Sequence, residues 1–160
     1  MAHDTNPFPE GSDRHTLWDM LVRRDIDAFL GQDWPMVEDD FARDRFLGLH
    51  ARFRDNPDHW QLAFPTLELY RDEWLRQAEE TAATAFAEPL RDALYRVTDL
   101  RDIDIGGDRA VLHKKFDGQV MRRDGEAVPL RWQTLYFCHR IDGSWKIAGF
   151  VGYLPNPLGT

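Results

Sequence analysis

At 160 residues, 42% hydrophobic and 30% charged, the chain has the make-up of one soluble globular domain with room for a core. A net charge of −8, with the basic residues scattered and mostly arginine, argues against nucleic acid or an anionic membrane as partner. The lone cysteine, Cys138, rules out an internal disulfide; with no apolar leader and no run near the ~18 residues that span a bilayer, a cytoplasmic location is expected.

Residues 1–11 hold two prolines and a glycine without periodicity and read as a loose arm, with His3 and His15 in or beside it. A helix then runs from Ser12 or Asp13 to Leu30, stopped by Gly31. On a wheel of ~100° per residue, Leu17, Ala28, Leu21, Trp18, Phe29, Val22 and Ile26 form one arc, and Asp25 falls at ~80°, near its middle. A carboxylate there is costly unless paired, hydrogen-bonded or protonated. Two readings of Asp25 stand side by side: a structural carboxylate satisfied by an arginine or by amides, and a pocket acid or base.

A short helix or turn follows over 33–40, with Pro35 in its first turn, then a short strand or irregular run over 41–49. Asn56-Pro57-Asp58 and Phe64-Pro65 mark breaks. The next helix spans 66–86, capped by Thr66, with Leu67, Tyr70, Trp74, Ala78 and Ala82 at helical spacing, and a helical turn covers 88–94.

From Tyr95 the pattern becomes that of strands. A hairpin turning through Gly106-Gly107-Asp108 puts Val111, His113 and Lys115 on one face and Ala110, Leu112, Lys114 and Phe116 on the other. Residues 118–127 read as a loop or hairpin tip around Asp124-Gly125. Two long strands close the domain, 128–141 and 144–154, joined by Asp142-Gly143, a pair suited to a turn that needs φ > 0 twice. Counting back from that turn sets His139 opposite Lys146, Phe137 opposite Ala148, Leu135 opposite Phe150 and Gln133 opposite Gly152. The other face carries Trp132, Thr134, Tyr136, Cys138, Trp145, Ile147, Val151 and Tyr153. Neither face looks solvated. The one bearing Trp132, Tyr136, Trp145, Ile147 and Tyr153 is expected to be buried between subunits. Helices first and an antiparallel meander after them make an α+β domain over 12–154, with a tail at 155–160.

Several residues outside helix one are candidates for a site. His113, in mid-strand, suits general acid–base work near neutral pH, and His50 has the same standing. Lys115 could neutralise Asp25 or reach out to solvent. Gln133 offers a donor and an acceptor to orient a carbonyl or hydroxyl. Trp18, Tyr70 and Trp74 read either as core or as a ligand platform. No Gly-rich nucleotide loop, GxSxG elbow or HExxH motif is present and the histidines lack metal spacing, so neither metal nor cofactor is expected.

The long helix ending before GQDW, the DDF that opens the first strand and the closing run DGSWKIAGFVGYL resemble the nuclear transport factor 2-like superfamily, which includes ketosteroid isomerase, scytalone dehydratase and SnoaL-type polyketide cyclases. The resemblance implies a cystatin-like cone, N-terminal helices packed on a curved, mostly antiparallel sheet around a deep pocket, often paired into a dimer through the outer sheet face. It sets Asp25 near the oxyanion-stabilising tyrosine of ketosteroid isomerase, Asp44 near its catalytic aspartate and Phe137 at its second oxyanion-hole acid. Two of those three roles are altered, so that enzyme's own chemistry is not expected here. His50, His113, Asp25 and Tyr70 echo the dehydratase pattern of histidines, aspartate and tyrosines, and the resemblance gives His113 an inward phase.

Two functions follow. The first is a cofactor-independent dehydratase, isomerase or cyclase acting on a small, largely apolar molecule, with Asp25 and His113 moving protons and Gln133 and Tyr70 orienting the substrate. The second is a non-catalytic ligand-binding module or the small subunit of a larger oxygenase. Convergence of two or more titratable groups in the cone separates the first from the second.

Overall fold

The computed structural model describes residues 4–158, so His3 and the outermost residues of the predicted arm and tail lie outside it. Ser12 caps the first helix by accepting from the His15 N–H at 3.1 Å. From there α1 (Asp13–Trp18) runs through a π-helical stretch, Asp19–Arg24, into α2 (Asp25–Leu30), one continuous helix widened at its centre. Two elements follow, α3 (Trp34–Glu38), capped by Asp33, and the strand β1 (Leu47–His50). Next come β2 (Gln61–Phe64) and α4 (Leu67–Ala82), the latter capped by Thr66 as the sequence predicts. It stops four residues short of the predicted 86, and Phe86 instead forms a bridge with Arg122 beside the sheet.

After α5 (Leu90–Val97) the chain is a meander: β3 (Thr98–Gly106), β4 (Arg109–Met121), β5 (Ala127–Ile141) and β6 (Ser144–Pro155). Asp142 and Gly143 take φ values of 52° and 83°, as their hairpin turn requires. The six strands lie in the order β2-β1-β6-β5-β4-β3, antiparallel except where β1 runs parallel to β6. This is the α+β cone with helices on a curved, mostly antiparallel sheet.

The predicted helical arc is the core. Leu17, Trp18, Leu21, Val22, Ile26 and Ala28 are buried against Ala110, Leu112, Cys138, Ile147 and Phe150 of the sheet. Each large side chain so removed from water contributes about 1.5–3 kcal/mol. Cys138 is fully buried, and burial pushes its thiol up to about 12, so it is inert packing. Part of the segment read as a loose arm is docked. Phe8 packs on the core, and the Asn6 amide donates to the His15 carbonyl at 2.9 Å and to Asp19 at 3.0 Å. No helix among the described residues is long and apolar enough to cross a membrane.

The register corrects two expectations. His139 does face Lys146, but the ladder then shifts, so Phe137 pairs with Gly149, Leu135 with Val151 and Gln133 with Leu154. Two β-bulges on β6 account for this, and the first turns Phe150 inward and Val151 outward. The second correction concerns which face is concave. The aromatic face expected between subunits is the inner one: Trp145 and Ile147 are buried within the chain, and Trp132, Tyr136 and Tyr153 line its cavity. Helices α1, α2, α4 and α5 cover it, which removes the need for a second copy there.

Candidate functional site

Between the helices and the inner sheet face lies a cavity of about 300 Å³. Rigid elements supply its walls. Phe29 from α2 and Trp74 from α4 meet edge to face with centroids 5.6 Å apart. Across from them Phe116, Trp132 and Tyr153 form an aromatic run over three strands, with successive centroids 4.7 and 5.4 Å apart. Phe86, Leu90, Val128 and Leu130, each partly exposed, extend the apolar lining toward the β4–β5 tip. The Val120↔Val128 row is six residues beyond Lys114↔Thr134, so the cavity reaches ~20 Å along the strands at ~3.3 Å per residue.

Polar groups gather at the other end. Asp25, at the start of α2, faces Lys114 on β4, with Oδ2 and Nζ 3.2 Å apart. The Lys114 side chain is 2% exposed whereas that of Asp25 is 37% exposed, so the cation is sealed in and the carboxylate opens on the cavity. A second partner of Nζ is the Leu21 carbonyl at 2.5 Å, on the π-helical stretch, and the Phe116 ring lies 5.2 Å from it. A buried ammonium needs such company, because an unpaired charge in this setting is costly.

Two tyrosines complete the cluster. The Tyr70 ring is wedged among Phe41, Phe46, Phe64 and Phe150, with centroids 5.0–5.8 Å away, which fixes its orientation. Tyr136 packs on Phe150 at 5.9 Å. Both line the cavity, and both share a small recess with Asp25. Burial pushes both phenols well above their ordinary range, and the Asp25 charge adds to the effect. They therefore stay neutral hydrogen-bond donors at any physiological pH. Thr134, beside Lys114 on the next strand, and Gln77, which donates to the Tyr153 hydroxyl at 3.2 Å, add further polar atoms. Among the described residues no three His, Cys, Asp or Glu side chains stand where one metal ion could bind them.

Of the residues singled out from sequence, Asp25, Tyr70 and Trp74 meet in this cavity. The others do not. His113 lies on the outer face, where its Nε2 donates to Gln133, whose own amide donates to the Pro155 carbonyl at 2.9 Å. Alternation from the double-glycine turn held, but the helices cover the Lys114 face and not the His113 face. For the same reason Lys115 sits outside, 3.5 Å from Asp102, and Phe137 is exposed on the convex side. Asp44 is exposed in a short 3₁₀ turn, Arg43–Arg45, outside the cavity. Trp18 is core, with Arg23 stacked over it. His50 stacks behind Tyr153 at 4.2 Å and accepts from the Arg52 N–H; burial holds its ring below the usual imidazole range.

Sequence reasoning missed Lys114 and Tyr136 as site residues. The usable signal was Lys114 itself, a charge alternating with Leu112 and Phe116 on one strand face, as anomalous there as Asp25 is on its helix.

The sequence matches no family model and no curated protein. Solved structures do match. A domain of unknown function with a cystatin-like fold from Nostoc punctiforme superposes with a TM-score of 0.61 at 11% identity, over 90% of this chain and 78% of that one. An NTF2-like protein of unknown function from Shewanella baltica gives 0.55 at 11% identity, over 91% and 95%. Another, from Silicibacter pomeroyi, gives 0.52 at 20% identity, over 86% and 91%. The chain has the NTF2-like, cystatin-like fold, and at these identities the likeness speaks for the fold alone.

Proposed function

We propose that this NTF2-like chain is a cofactor-independent acid–base enzyme, of lyase or isomerase type, acting on a small, largely apolar molecule. One observation carries the reading: Asp25, Lys114, Tyr70 and Tyr136 converge at one end of a mostly apolar cavity. Asp25 is the proton acceptor, held in place by Lys114 and open to the cavity. Tyr70 and Tyr136 are neutral donors for the negative charge that develops on a substrate oxygen. The aromatic walls exclude water and grip the apolar body.

A test that needs no natural substrate uses 2-tetralone in deuterated buffer, with exchange at its acidic C–H positions followed by NMR. The wild type is expected to accelerate exchange, and Asp25→Asn to lose about 100-fold or more of that rate, the usual worth of a placed base. Binding, read as quenching of Trp74 and Trp132, should persist in the variant. Tetralone that binds without exchange in the wild type points to a ligand-binding module instead.

The proposal extends to a second copy of the chain on the outer sheet face. Leu47, Phe137 and Val111 stand in one row across the strands and are 44%, 38% and 42% exposed, an apolar stripe on a convex surface. Sedimentation is expected to give a dimer at micromolar concentration, and Phe137→Glu a monomer with unchanged far-ultraviolet circular dichroism. A monomeric wild type would sink the dimer.

A further inference from the structure

In the acid–base reading Lys114 only holds Asp25, yet its surroundings suit a second role. We propose that Lys114 is a nucleophilic amine that forms a protonated imine with an apolar aldehyde or ketone bound in the cavity. The chain carries 17 arginines and three lysines, and the cation at the polar end of the cavity, shielded from bulk solvent, is one of the lysines. An arginine could neutralise Asp25 equally well, but its guanidinium does not give up a proton to become a nucleophile, whereas an amine does. Nζ is tethered on two sides, by the Leu21 carbonyl and by Asp25, and Lys114 lines the cavity. The proton that must leave Nζ before attack has its acceptor 3.2 Å away in Asp25 Oδ2.

The step balances without any further reagent. The Nζ lone pair adds to the carbonyl carbon, the C=O π pair moves to oxygen, and that oxygen is protonated by the acid Asp25 has become, with Tyr70 or Tyr136 donating a hydrogen bond to it. Asp25, again a carboxylate, then takes a second proton from the nitrogen and passes it to the hydroxyl, which leaves as water as the nitrogen lone pair closes the C=N bond. Water later reverses the imine to free amine and carbonyl compound. The pull of the protonated imine acidifies the adjacent C–H, so the same Asp25 would remove that proton more readily than from the free ketone. The inference rests on the proposed function only in taking the cavity to admit a small apolar molecule.

The test uses 2-naphthaldehyde, which has no adjacent C–H and so cannot report exchange, with sodium cyanoborohydride to reduce the imine to a secondary amine. Intact mass and peptide mapping should show one adduct, equal to the probe less one oxygen, at Lys114. It should form about tenfold or more faster there than at the surface lysines Lys115 and Lys146, the advantage of a placed nucleophile. Lys114→Arg, which keeps the cation, should abolish that adduct and leave the surface labelling unchanged. Binding of 2-naphthalenemethanol, read by tryptophan quenching, reports the cavity independently. Binding of the alcohol with no preference of the aldehyde for Lys114 overturns the imine and leaves the acid–base reading intact. Failure of both probes to bind overturns both.

Discussion

Replacing Gly149 with alanine is expected to destabilise the protein by about 3 kcal/mol or more, the upper part of the range for forcing atoms into a packed site. Gly149 lies on β6 just past the first bulge, where β1 pairs alongside it in parallel, Leu47 opposite Gly149. A Cβ there would stand 2.5 Å from the Leu47 carbonyl oxygen and 3.6 Å from its carbonyl carbon. The obstacle is backbone, so no rotamer change relieves it; β1 must move away from β6. At the ~2–4 °C per kcal/mol of a domain this size, the melting temperature should fall by roughly 6–12 °C. Gly106→Ala is the control: it is also in a strand, but nothing lies within 4 Å of the added carbon. A melting temperature for Gly149→Ala within a degree of Gly106→Ala would mean that β1 does not pack as described.

Removing Asp25 should cost nearly as much, for a different reason. Asp25→Ala leaves the Lys114 ammonium with only the Leu21 carbonyl and the Phe116 face, and stranding one member of a buried pair costs about 3–5 kcal/mol. The carboxylate is partly open to the cavity, so the low end, about 3 kcal/mol, is expected. Lys114→Met alone should cost less, since the surviving carboxylate can be hydrated through the cavity. The double variant Asp25→Ala/Lys114→Met should recover most of the loss, because an apolar replacement of a buried pair is often neutral or better. Chemical denaturation of all four proteins closes the cycle. Recovery in the double variant together with loss of tetralone exchange would show that the pair is kept for chemistry and not for stability. A coupling energy near zero would instead mean that Nζ and Oδ2 do not interact.

The two anomalous charges show how far a sequence carries such a site. Asp25 was legible because a helix wheel is local: seven apolar residues and one carboxylate share an arc whatever the rest of the chain does. Tyr70 and Trp74 follow from the same arithmetic on α4. Lys114 was as anomalous on its strand, yet strand alternation yields two faces without saying which is inside, and the family resemblance gave the wrong one to His113.

From the sequence alone came the order of elements apart from β2, where the pattern shows only a break at Phe64-Pro65, together with the Thr66 cap, a first cap at Ser12 or Asp13, the Asp142-Gly143 turn and hence the closing hairpin. These rest on contacts within a few residues, which local chemistry determines. The tertiary structure decided the rest: the bulges on β6 that send Phe150 inward, and the face of the sheet on which the helices come to lie. A β-strand repeats every two residues, so a single inserted residue or a choice of covered face exchanges every side chain between cavity and surface. That choice is made by packing between segments some ninety residues apart, as Asp25 and Lys114 are.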